Sequence, residues 1–442
     1  MRFLNEQINK ITKPTPLQLI ILDGLKMCKE LWYTFLIRSR IDEICKQIMV
    51  RKLRRKSQIN VVFVASFLSQ WKYQPLYELM KKTPRFNPII LVAPMRHHEQ
   101  SPDYFELKRK LFADNIEFID FVSLSETDKN IRKSLNPDVL FYTQPYYHIY
   151  DKRVDSHSFK NKLICYSDYG FIIGNYEWEY DSEFLNRAWI VFSSSSFYKR
   201  QSSLYAINKG RNAQVVGYLN ADRYAQYEAN PSLSKNRNSW KPQEKLKKRI
   251  VWTPHFSITQ DTVLHQGNFL QMADDMLLIA KKYADQVQFS FKPHPSLYSL
   301  LVRHPQWGKE RTDAYYEQWA KGENTQLDNG EFIDLFVTSD AIINDSGSFI
   351  AEYIYSKNPA LNCFANMEET IQRLNNLMKM ALKCQYIGSS VEEIERFIND
   401  VVLDGHDILY EKREAFYEKY LKTPSGESVT MNIYNSILSA IG

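Results

Sequence analysis

From residue 58 onward, short runs of β-branched and aromatic residues alternate with stretches of helical periodicity, and this rhythm restricts the fold more than any other feature of the chain. Residues 59–64 (Ile-Asn-Val-Val-Phe-Val) form an apolar run of the kind buried on both faces in parallel sheets. A helical segment over 76–82 follows, then further strand-like runs at 88–92, 116–119, 139–142, 162–166, 188–192 and 214–217. Strands separated by helices at this spacing predict βαβ units. A stretch rich in Asn, Ser, Pro and Lys at 228–248 has the composition of an exposed crossing between domains. The rhythm resumes with strands at 249–253, 288–291, 341–344 and 359–364 and helices at 269–283, 334–339, 391–403 and 412–420. The expected class is α/β in two domains. The expected division is 1–57 as a helical, basic extension, 58–227 as the first domain, 228–248 as the linker and 249–410 as the second domain. Terminal helices over 411–442 would follow, with 429–441 able to cross back onto the first domain.

Three motifs carry chemistry, each at the end of an expected strand of the second domain. Asp345-Ser346-Gly347-Ser348 follows Ala341-Ile342-Ile343 and runs into Phe349-Ile350-Ala351-Glu352, a strand, a small-residue turn and a helix start. Backbone N–H groups and the helix dipole make such a turn an anion site, and two serine hydroxyls add donors; an ordinary Asp/Ser N-cap is spelled the same way. Ser348 and Glu352 lie four apart on one helix face, so a carboxylate sits about one turn deeper, placed to accept hydrogen bonds from ribose hydroxyls. In Lys292-Pro293-His294-Pro295 the prolines prevent a helix from starting and hold the imidazole at a strand terminus. Lys292 and His294 would bring positive charge to a diphosphate, and a histidine titrating near neutrality can pass a proton to a leaving phosphate. Thr253-Pro254-His255 repeats this geometry. Ligands of open α/β sheets bind beyond the carboxyl ends of the strands, so in a parallel sheet the three motifs converge.

These residues carry a family resemblance. Thr253-Pro254-His255, Lys292-Pro293-His294-Pro295 and Asn344-Asp345-Ser346-Gly347-Ser348 with Glu352 resemble successive motifs of the CDP-glycerol glycerophosphotransferase family, the teichoic-acid polymerases and primases of bacterial envelopes. Trp71-Lys72-Tyr73-Gln74-Pro75, Ala93-Pro94-Met95-Arg96, Cys165-Tyr166-Ser167-Asp168-Tyr169-Gly170 and Val216-Gly217-Tyr218-Leu219-Asn220 resemble segments of its shorter, capsule-locus members. The resemblance implies a GT-B architecture: two Rossmann-like domains with parallel sheets facing a cleft, the second holding a nucleotide donor. It implies transfer of glycerol phosphate, or a related polyol phosphate, from a CDP carrier to a hydroxyl of a lipid-linked or polymeric glycan at the inner membrane face, with no metal and no separate cofactor. Carried over, His294 would contact the donor diphosphate, Ser346 and Ser348 would bind phosphate, and Glu352 would bind ribose. Two departures stand out. Gly347 interrupts what is often a run of serines, which removes a hydroxyl and permits closer backbone approach to a phosphate. A first-domain Trp-His-Gly-Thr-type motif is absent, and Asp168 is the proton acceptor nearest to its position. The expected catalytic residues are His294, His255 and Asp168; the expected donor-binding residues are Lys292, Asp345, Ser346, Gly347, Ser348, Glu352 and Thr253. A nucleotide-sugar glycosyltransferase on the same scaffold, or a non-catalytic nucleotide-binding scaffold, fits the same motifs.

Composition narrows the partners. A net charge of +6 without a recognition fold gives no reason to expect nucleic acid. The five cysteines are scattered without ligand or disulfide spacing, the histidines form no HxxxH pair, and a reducing cytoplasm fits. No apolar stretch reaches bilayer length and no signal peptide is evident. Residues 17–49 read as an amphipathic helix leading into Arg51-Lys52-Leu53-Arg54-Arg55-Lys56. This is either a peripheral anchor for an anionic inner leaflet or a helical hairpin on the core beside a solvated charge run.

Overall fold

The computed structural model describes residues 27, 31–38, 40–96, 101–146, 149–230, 239–258 and 266–442. Most of the expected extension before residue 31, and 231–238 within the expected linker, lie outside the described residues. Two sheets form, each entirely parallel. The first contains β1 (Ile59–Ala65), β2 (Phe86–Val92), β3 (Ile119–Asp120), β4 (Val139–Tyr142), β5 (Leu163–Ser167), β6 (Ile190–Ser193) and β7 (Ala213–Val215), in the order β3-β2-β1-β4-β5-β6-β7. The second contains β8 (Lys248–Thr253), β9 (Val287–Phe291), β10 (Thr325–Leu327), β11 (Ala341–Asn344), β12 (Ala360–Asn362) and β13 (Tyr386–Ile387), ordered β10-β9-β8-β11-β12-β13. Both are doubly wound Rossmann-like sheets whose strand order reverses beside their first strand, between β1 and β4 and between β8 and β11.

Burial explains the apolar runs. Val61, Val62, Phe63 and Val64 of β1 and Val139, Leu140 and Phe141 of β4 are fully enclosed, because helices cover both faces. Phe63 stacks on Phe141 at 4.9 Å, and Phe141 faces Phe192 of β6 at 6.3 Å. In the second sheet Trp252, Phe269, Phe291 and Trp319 form an equivalent aromatic core.

Both described ends of the chain pack on the first domain. Helix Ile41–Arg54 is held by Lys46 Nζ on the Ala188 carbonyl at 3.1 Å and by Arg187 on Asp42. Ile41, Ile44 and Ile48 of this helix are exposed, as are Leu31, Trp32 and Phe35 of the separate helical segment 31–38. The final helix, Val429–Ile441, starts where the Asp222 carboxylate accepts the Val429 and Thr430 amides at 2.6 and 2.8 Å. It lays Tyr434 against Phe86, ring centroids 5.9 Å apart, so the chain crosses between the domains twice. Among the described residues no helix is long and apolar enough to cross a membrane.

Candidate functional site

The three motifs stand together beyond the carboxyl ends of β8, β9 and β11, at the reversal point of the second sheet. Much of what holds them is buried polar bonding. The Thr253 hydroxyl, 1% exposed, donates to the Ile343 carbonyl and to Asn344 Oδ1, so it ties β8 to β11 and is not offered to a ligand. Asn344 Oδ1 also accepts the Ser346 amide at 2.7 Å while Nδ2 donates to the Ser346 carbonyl and Asn362 Oδ1, which fixes the turn. Asp345 points back under it. One carboxylate oxygen accepts the His255 amide and the other the Asn268 amide, bracing three loops, and burial pushes the carboxyl up to about 7. Asp345 is therefore a brace within the protein rather than a donor-binding group.

The two histidines occupy the front of the site. Their rings meet edge to face at 5.3 Å, and Phe256 packs on His294 at 4.5 Å. His255 Nδ1 accepts the Ser257 amide at 3.2 Å, and His294 Nδ1 accepts the Ser296 amide at 3.1 Å. A nitrogen that accepts from a backbone N–H carries no proton, so each neutral ring bears its hydrogen on Nε2. Burial lowers His255 to about 3, with His294 adding to the effect, and lowers His294 to about 4. Near neutrality the pair supplies N–H donors rather than the charge expected from sequence. Ser257, whose hydroxyl lies 2.8 Å from His255 Nδ1 and accepts the Gly267 amide, had no signal in the sequence.

Other expectations change. Lys292 lies at the end of β9, but its ammonium is taken by Asp328 Oδ1 at 3.0 Å and by the Gly330 carbonyl. The helix after the serine turn is a single turn, Phe349–Glu352, continuing as 3-10 helix over Tyr353–Ser356, so it offers less dipole than the sequence reading assumed. Ser346 is buried and Ser348 half-buried, and the Gly347 and Ser348 amides donate to no described residue. Gly347 has a different reason from phosphate approach: a Cβ there would stand 2.5 Å from Cδ1 of Ile173, a first-domain side chain seated on the turn.

Glu352 faces the domain junction. Its Oε1 accepts the Tyr218 hydroxyl and Asn220 Nδ2, both at 2.8 Å, and Lys72 Nζ donates to Tyr218 at 2.5 Å. Burial raises Glu352 against the opposing pull of Lys72 and lowers Lys72 to about 8. In this structure the carboxylate expected on ribose is held by the first domain. Asp168, just past β5, belongs to that domain too. Its Oδ2 accepts the Ser194 amide and hydroxyl, each at 3.1 Å, and burial raises it to about 6, suitable for a proton acceptor near neutrality. Residues 171–175 then cross to the second domain: the Asn375 amide donates to the Ile173 carbonyl at 2.9 Å and the Asn175 amide to the Arg373 carbonyl at 2.9 Å. Asp168 thus stands at the root of the segment that seats Ile173 on Gly347.

No family model and no curated protein matches this chain. Solved structures do. A wall teichoic acid polymerase, TagF, superposes with TM-score 0.59 at 13% identity, over 95% of this chain and 98% of that one. The same polymerase soaked with CDPG gives TM-score 0.58 at 14% identity over 94% and 98%. UDP-GlcNAc 2-epimerase of Neisseria meningitidis, bound to UDP-GlcNAc, gives 0.53 at 14% over 86% and 100%. With its two facing parallel-sheet domains, the chain has the GT-B fold.

Proposed function

We propose that this chain is a GT-B transferase that moves glycerol phosphate, or a related polyol phosphate, from a CDP-linked donor to a hydroxyl of an envelope or capsular glycan. The observation that carries this reading is the histidine pair: two neutral imidazoles with protonated Nε2 atoms, fixed through Nδ1 by backbone amides, beside a serine turn whose amides donate to no described residue, at a Rossmann reversal point. Such an array suits the acceptor-only oxygens of a diphosphate. The acceptor hydroxyl oxygen bonds to the distal phosphorus, the bond from that phosphorus to the bridging oxygen breaks, and CMP departs. The hydroxyl proton passes to Asp168. An arriving diphosphate raises both imidazole pKa values, so a histidine neutral in the free site becomes able to protonate departing CMP. Positioning and charge neutralisation supply the rate, with no metal in the proposed chemistry. The exposed Leu31, Trp32 and Phe35, with the exposed cations Arg51, Lys52 and Arg55, suit an anionic inner leaflet, where a lipid-linked acceptor would be met.

Purified protein given CDP-glycerol and a glycan acceptor should release CMP, and His294→Ala should cut release by at least about 100-fold. Unchanged release would remove His294 from the mechanism. A sugar in place of the polyol phosphate, attacked at its anomeric carbon, is the second reading, favoured by the likeness to a fold that holds UDP-GlcNAc. Release of UDP but not CMP would decide for it.

A further inference from the structure

Buried polar atoms in folded proteins nearly always have partners, and three beside the serine turn do not. Gln266 and Asn268 are each 2% exposed, yet Gln266 Nε2 and both Asn268 Oδ1 and Nδ2 have no hydrogen-bond partner among the described residues. Their backbone is fully engaged: the Gln266 carbonyl accepts the Ala365 amide at 3.1 Å, the Asn268 amide donates to Asp345 Oδ2 at 2.6 Å, and the intervening Gly267 amide donates to Ser257 Oγ. The carboxamides are therefore held in place by bonds that leave the side chains themselves unused. Asn268 stands at the N-cap of the 14-residue helix Phe269–Lys282 without capping it, although asparagine is a preferred cap. Gln266 Nε2 lies 3.4 Å from where a Gly347 Cβ would be, so it faces the turn whose Gly347 and Ser348 amides donate to no described residue. It also lines a small inter-domain cleft with Ile173, Gly174, Thr370 and Arg373.

We propose that Gln266 and Asn268 are donor-binding residues that recognise the sugar-phosphate portion of the nucleotide. This inference rests on the donor reading above. Phosphate oxygens accept from Gln266 Nε2 and Asn268 Nδ2, continuing the row of neutral N–H donors made by the Gly347 and Ser348 amides and the two imidazoles. A ribose hydroxyl, which both donates and accepts, satisfies Asn268 Oδ1. Neutral carboxamides add direction without charge, and the ammonium of Lys292, the cation of the neighbouring motif, is already bonded to Asp328.

The test replaces the carboxamides by apolar residues of similar shape, Gln266→Met and Asn268→Leu. In the free protein no hydrogen bond is lost, so melting temperatures should stay level or rise, while calorimetric titration with CDP should show affinity at least tenfold below wild type. Gln266→Glu serves as a second variant, placing an acceptor where the Nε2 donor stood, and should weaken CDP by a similar factor. Wild-type protein that binds CDP, with variants that bind it equally well, overturns this inference alone. So do variants that melt several degrees lower without ligand, since their atoms would then have had internal partners. Wild-type protein that binds neither CDP nor UDP overturns the donor reading and this inference together.

Discussion

Replacing Gly347 by alanine isolates the contact between the first domain and the serine turn. The new Cβ would stand 2.5 Å from Cδ1 and 3.3 Å from Cγ2 of Ile173, well inside van der Waals contact. Backbone strain adds nothing, since Gly347 is not among the residues with positive φ. Two effects compete. Restricting the unfolded chain stabilises a compatible Gly→Ala change by about 0.4–1 kcal/mol, whereas overpacking costs about 1–3 kcal/mol. The net in the wild-type background is a loss of about 0.5–2 kcal/mol, or a few degrees in Tm at about 2–4 °C per kcal/mol for a domain of this size. Ile173→Ala removes both crowded atoms, so in that background Gly347→Ala should change sign and stabilise by about 0.4–1 kcal/mol. Calorimetric melting of the four proteins reads the coupling, expected at about 1–3 kcal/mol. Equal destabilisation in both backgrounds, or a harmless Gly347→Ala in wild type, would show that Ile173 is not what requires the glycine.

Other perturbations follow from buried charge. His255 and His294 titrate at about 3 and about 4 when folded, below the 6.5 of a free imidazole. Below pH 6.5 the unfolded chain binds these protons first, so the stability they supply is complete above 6.5 and drains as pH falls toward 4. His255→Gln should flatten this acid limb by about 2–3 kcal/mol at pH 4.5, measured as melting temperature against pH; an unchanged profile refutes it. Asp345 and Asp168, raised to about 7 and about 6, act oppositely and lower stability as pH rises from about 4 to 7, so Asp168→Asn should lessen the fall on that side. Lys72→Met leaves Tyr218 and Glu352 without their ammonium and should lose about 1.5–3 kcal/mol in thermal melting, where no change would discount the network. Asp222→Ala leaves the Ser428 cap in place but removes the acceptor of the Val429 and Thr430 amides, at a cost of about 1–2 kcal/mol seen as faster amide exchange over 429–441; unchanged exchange would refute it.

The sheets were legible because their central strands carry short buried apolar runs such as Val61–Val64 and Ile250–Trp252, a pattern that survives without knowledge of neighbours. β10 and β13 were not, being edge strands of three and two residues with no room for periodicity. Strand-end motifs such as Thr253-Pro254-His255 were readable because proline announces where a strand stops. What each side chain does there was less so. Lys292 looked available because its partner Asp328 sits on the next strand's loop, and Glu352 looked ligand-facing because Tyr218 and Asn220 belong to the other domain. Gly347 invited a phosphate explanation when the atom that needs its space is on Ile173. The tautomers of His255 and His294 depend on amides two residues away, a local relation, but one that exists only once the loops have folded.

The return of the last helix to the first domain sets an order on synthesis. Helix Ala221–Ala229 of that domain leaves the ribosome some 200 residues before Val429, about 10–40 s earlier at ordinary elongation rates. Throughout that interval Phe86 lacks the Tyr434 ring that packs on it, and the Asp222 carboxylate lacks the Val429 and Thr430 amides it accepts. The second domain waits less long, since the last residues it needs, Arg413 donating to the Lys357 and Cys384 carbonyls and Leu421 accepting the Tyr355 hydroxyl, precede the final helix. The domain translated first therefore closes its core only when the final residues arrive.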